Sequence, residues 1–147
     1  MKSAFLVSIL LITSMPACAV ASTSITINKS VSQCIARYGE KNVECLESLN
    51  DESEKELNTA VKEKVKDIAT YDYERWWMGN AAQRENMLET FKKSQQEWVK
   101  YRDDYCATAV TAGQSSPYFG AYWTSCILNM NKRRIEEIVM TKTMISD

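Results

Sequence analysis

The chain has no histidine. Every catalytic triad, proton relay or metal site that depends on an imidazole is therefore excluded. Glycine and proline are scarce, with four and two in 147 residues, and no glycine-rich run exists that would cradle a phosphate. Neither charge dominates. Eighteen Lys and Arg stand against nineteen Asp and Glu, spread along the chain, for a net charge of −1. Such a balance leaves no basic footprint for nucleic acid. Strand-like alternation never extends far, and there is no internal repeat, so the sheet-based classes lose their sequence signal.

What is present begins at the N-terminus. Lys2 is followed by an apolar run from Ala4 to Ile12, then Pro16 and the triplet Ala19-Val20-Ala21. A positive start, a short apolar core and an A-x-A site read as a secretory signal peptide over 1–21. The run is too short for a typical transmembrane helix, so no stable membrane insertion is expected once it is removed. Cleavage after Ala21 leaves Ser22 to Asp147 and a net charge of −2, because Lys2 leaves with the signal. A lipid anchor on Cys18 is the minor alternative, since Met15-Pro16-Ala17 fits a lipoprotein signal poorly. The expected location is periplasmic or secreted.

Export governs how the cysteines read. Cys18 belongs to the signal, leaving Cys34, Cys45, Cys106 and Cys126. An even set in an exported chain reads as two disulfides. Of the three possible pairings, the sequence-local one, Cys34–Cys45 with Cys106–Cys126, needs only two short loops and is preferred; the others remain open. Zinc is disfavoured, because the cysteines lack the close pairs that zinc modules use and no histidine completes a site. No cofactor is implied.

After the signal, 22–33 reads as a flexible leader, rich in Ser, Thr and Asn, running into a short helix. Asn28-Lys29-Ser30 matches a glycosylation acceptor pattern. That helix spans Val31 to Tyr38, carries Cys34 and is ended by Gly39. Asn42 is the expected N-cap of the next. Its apolar positions, Leu46, Leu49, Leu57, Val61, Val65 and Ile68, recur at helical steps around one polar interval. Ser53-Glu54-Lys55-Glu56 in that interval has a capping-box pattern, but without Gly or Pro between Gly39 and Gly79 one continuous helix from about Asn42 to Trp76 is preferred. Lys62-Glu63-Lys64 and Lys66-Asp67 read as a solvated face. Gly79-Asn80 marks a turn. A third helix runs from about Ala81 to Val110, with Met87, Leu88, Phe91, Trp98, Tyr101, Arg102, Tyr105 and Ala109 inward. A loop follows at Thr111 to Pro117. The last helix, about Tyr118 to Thr143, carries Tyr122, Cys126, Met130, Arg134 and Ile138 at four-residue steps. The expected fold is all-α: a roughly three-helix up-down-up bundle over 34–143, with a short N-terminal helix, stapled by two disulfides.

The stretch Trp98 to Cys106 organises this arrangement. Trp98, Arg102 and Cys106 lie four residues apart on one helix face. If Cys106 bonds Cys126 and the two helices are antiparallel, positions whose numbers sum to 232 lie level. Trp98 then faces Arg134, and Arg102 faces Met130.

The pattern Trp98-x3-Arg102-Asp103-x2-Cys106, followed by Cys126-Ile127-Leu128 and Arg134, resembles the LprI-type lysozyme-inhibitor domain family. The likeness runs from Cys34 to about Ile138, with Cys34 and Cys45 matching that family's first cysteine pair. It implies an exported, helical, bacterial domain whose characterised activity is inhibition of lysozyme. The chain departs from the family at Tyr71 to Asn80, which is longer and more aromatic than the usual connection, and at Asn131, where many members have threonine.

Catalysis has little support, because oxidised cysteines are not nucleophiles and Glu52, Glu54, Glu56, Glu136 and Glu137 read as exposed helix charges. Trp98, Arg102, Asp103 and Arg134 are either a recognition patch or an inter-helix clamp in which Arg134 lies on the Trp98 ring; the clamp is preferred. Tyr71, Tyr73, Arg75, Trp76 and Trp77 are residue types that dominate binding hot spots and are assigned to partner contact. The reading is a non-enzymatic binding protein whose partner is a lysozyme or other peptidoglycan hydrolase. The alternative is an envelope assembly module, or an immunity-type protein, binding another protein or a glycan.

Overall fold

A computed structural model describes residues 24–71 and 80–141. Four helices follow in order: α1 (Lys29–Tyr38), α2 (Val43–Thr70), α3 (Ala81–Ala109) and α4 (Phe119–Met140). Among the described residues there is no strand, and no helix is long and apolar enough to cross a membrane. The expected signal peptide, and Tyr73, Arg75, Trp76 and Trp77, lie outside the described residues.

Each boundary has a local cause. The Asn28 side chain accepts hydrogen bonds from the backbone N–H groups of Ser30 and Val31, capping α1. Gly39 ends it at φ +57°, a conformation that costs a residue with a Cβ but not glycine. Asn42 does not cap α2 as expected. It lies in the helical region, and its side-chain amide donates to the Gly39 carbonyl, closing the turn between α1 and α2. α2 runs unbroken through Ser53 for 28 residues, about 42 Å at 1.5 Å per residue. Asn80 and Gln83 form a reciprocal capping box at the start of α3.

α2 and α4 are parallel, and α3 runs antiparallel to both. Side-chain contacts fix the register: Ser53 meets Asn131 and Lys64 meets Thr141 between α2 and α4, while Cys106 meets Cys126 between α3 and α4. α4 makes its broadest contact with α2, and α1 closes one end against both. Two disulfides staple the bundle, Cys34–Cys45 and Cys106–Cys126, the latter with Cα atoms 5.7 Å apart. Each lies in an apolar cluster. Val31, Cys34, Leu46 and Ala121 form one, and Cys106, Cys126, Ile127 and Met130 the other.

From Ser24 onward the leader lies against α4: the Asn129 side-chain amide donates to the Ile25 and Ile27 backbone carbonyls, the Asn28 side-chain amide donates to Asn129 Oδ1, and Ile25 packs on the Cys106–Cys126 cluster. Two further expectations need correction. Lys64 is buried, not solvated. Its ammonium donates to the Thr141 carbonyl at 3.4 Å, placing a cation at the C-terminus of α4, where the helix dipole favours one. Met87, Tyr101 and Tyr105 are exposed and not inward, the two tyrosines as a tilted pair with ring centroids 5.9 Å apart. The α3 inner stripe is instead Phe91, Gln95, Trp98, Arg102 and Cys106.

Candidate functional site

The centre of the bundle is a polar layer. Arg102 is 6% exposed. One terminal nitrogen donates to both Glu54 of α2 and the Asn131 side-chain oxygen of α4. Nε and the other terminal nitrogen meet one Asp103 oxygen, each at 2.9 Å. Asn131, wholly buried, donates in turn to Ser53 Oγ and to Glu54, each at 3.0 Å. A guanidinium has five N–H donors; three make hydrogen bonds inside the chain, and the second terminal nitrogen is ion-paired with Asp103. Every buried side-chain polar atom among the described residues finds a partner. A layer whose buried cation is paired with two carboxylates in this way ties three helices together and leaves that cation little capacity for an external anion.

Trp98 lies beside this layer between two cations. The Arg102 guanidinium stands 5.7 Å from its ring centroid and that of Arg134 stands 5.5 Å away. Arg134 also donates to Gln95 and Glu137, each at 2.9 Å. Trp98, Arg102, Asp103 and Arg134 are thus brought together, with Arg134 reaching the Trp98 ring from α4. Sequence reasoning missed Ser53, Glu54, Gln95 and Asn131. A signal for three of them existed: Ser53, Gln95 and Asn131 each occupy a position on an otherwise apolar helical stripe. A polar residue there must find a partner across the bundle. Glu54 carries no such signal, because its place in the layer depends on Arg102 reaching it from another helix.

Tyr71, half-buried at the C-cap of α2, is the described part of the aromatic stretch assigned to partner contact.

Two of the surface grooves lie toward opposite ends of α2. One, of about 680 Å³, lies between the first turns of α2 and α4 and is lined by Val43, Leu46, Glu47, Asp51, Phe119 and Trp123, among others. The other, of about 600 Å³, lies near the opposite end, among Lys64, Ile68, Met87, Phe91, Arg134 and Ile138. Neither presents a catalytic arrangement. The four cysteines of the described residues are consumed in disulfides, and no group of acidic or sulfur ligands able to hold a metal is present there. Lys92, on an exposed face of α3, is raised above the usual lysine value, first by its hydrogen bond to Glu89. A shift in that direction makes a firmer cation and a poorer general base.

The sequence model of the family described as lysozyme inhibitor LprI matches residues 34–138. The chain belongs to the LprI family. Its match begins at the first disulfide and ends at Ile138 in the last turns of α4, so all four helices contribute to the LprI domain. No curated protein and no solved structure matches the chain. The two disulfides, the Trp98–Arg102–Arg134 cluster and the buried Asn131 all fall within the LprI match. LprI is an inhibitor family, which favours binding over turnover for this member.

Proposed function

We propose that this LprI-family chain is an exported, non-enzymatic binding protein that inhibits lysozyme-like peptidoglycan hydrolases by covering the substrate cleft. Family membership over most of the chain carries the reading. The stapled helical core supports it, because it supplies a rigid body whose charged central layer is already internally paired. Rigidity matters for an inhibitor of this kind, since the ordering cost is met during folding and not at association. The contact residues proposed are Tyr71, Tyr73, Arg75, Trp76 and Trp77. They suit either a protein surface or a sugar-binding subsite, both of which favour Trp, Tyr and Arg. Removal of 1–21 as a signal would place the domain outside the cytoplasm, where its disulfides persist.

A turnover assay of several lysozymes with the purified oxidised protein tests the reading. Inhibition at sub-micromolar protein is expected for at least one cationic lysozyme. Absence of inhibition across the panel would overturn it and leave an envelope assembly or immunity-type module.

A further inference from the structure

The groove between the first turns of α2 and α4 combines an apolar floor with unpaired negative charge. Val43, exposed at 59%, and Leu46 form one wall, and Phe119 and Trp123 the other. Glu47 and Asp51 stand one helical turn apart on its rim, both exposed. Like charges at this spacing repel on a helix surface, and neither carboxylate makes an ion pair or hydrogen bond among the described residues. No lysine or arginine lines the groove. The first half of α2 reinforces the sign, with Glu44, Glu47, Asp51, Glu52, Glu54 and Glu56 against Lys55. In the second groove, by contrast, Lys64, Arg134 and Glu137 are already engaged with Thr141, Gln95 and one another.

We infer that the groove lined by Val43, Glu47, Asp51, Phe119 and Trp123 is a docking surface for a Lys- or Arg-bearing segment of the hydrolase. The inference rests on the inhibitor reading given above. A hydrolase that works on an anionic wall polymer gains from a positive surface around its cleft, and that positive surface complements this rim. The aliphatic stem of the incoming cation lies on Phe119 and Trp123, while its head reaches Glu47 and Asp51. The Trp123 face adds a cation–π contact. The groove lies at the N-terminal end of α2 and Tyr71 at its C-cap, so contributions from the two are separable by mutation.

The test is the affinity of the full oxidised protein for a strongly cationic lysozyme, compared among wild type, the double variant Glu47→Lys/Asp51→Lys, and the control Glu52→Lys/Glu56→Lys. The control makes the same change in net charge on the same helix, outside the groove. Reversal in the groove is expected to weaken binding roughly 30-fold or more, while the control stays within about threefold and both variants melt within about 3 °C of wild type. Binding unaffected by the groove variant, or equally weakened by the control, would overturn the docking surface and leave the inhibitor reading intact. If wild type binds no lysozyme, the inhibitor reading fails, and the peptide acetyl-Arg-Gly-Arg-amide decides the groove separately. A saturable shift of the Trp123 indole N–H resonance, abolished in Glu47→Lys/Asp51→Lys, supports it; no shift overturns it.

Discussion

Asn131 has no exposure to water, and its side chain bridges Arg102, Ser53 and Glu54. Shortening it would strand a buried guanidinium donor, and a hydroxyl beside it. Asn131→Ala is therefore expected to lower unfolding free energy by about 2–4 kcal/mol in a urea titration. Arg134→Ala should cost less, about 1–2 kcal/mol, because it removes one cation from the Trp98 ring and the partner of Gln95, yet leaves Arg102 in place. Thermal melting checks this, and lost binding with unchanged melting would instead make Arg134 a contact residue. The Trp98–Arg134 pairing was legible because an antiparallel register set by Cys106 and Cys126 lays 98 against 134. Glu54 was not. A glutamate among Glu52, Lys55 and Glu56 looks like any exposed helix charge, and only the position of Arg102 on a different helix gives it a role.

The segment 24–28 behaves as a fifth element. Its residues have the composition of a loose leader, but Asn129 recognises two of its carbonyls and Ile25 covers a disulfide. Asn129→Ala should release it. Limited proteolysis is expected to cut N-terminal to Val31 several times faster in the variant, with a stability loss of about 1–2 kcal/mol from the hydrogen bonds and the uncovered Ile25. The helices themselves were readable from apolar spacing, to within two or three residues for α1, α3 and α4. The end of α2 at Thr70 falls short of the expected Trp76, whose position lies outside the described residues. The connection after it is the proposed contact element. Trp76→Ala with Trp77→Ala is expected to weaken partner binding more than tenfold while the helical circular dichroism is retained.

For the molecule as a whole, the two staples and the export reading belong together, since disulfides are kept in oxidising compartments. Intact mass of the protein recovered from its native host is expected to correspond to a chain starting at Ser22 with four oxidised cysteines; a lipidated Cys18 would make it membrane-anchored. The sequence by itself determined the helical class, the order of the elements and the pairing of Trp98 with Arg134, because 3.6-residue periodicity and cysteine placement are local and can be read along the chain. It also carried the family likeness. Only the tertiary structure decided that Glu54, Ser53 and Asn131 close a buried layer around Arg102, that Lys64 caps α4, and that Glu47 and Asp51 are left unpaired above an apolar groove. Those outcomes depend on which faces of separate helices meet, and the partner of a charge on one helix is fixed by the register of another.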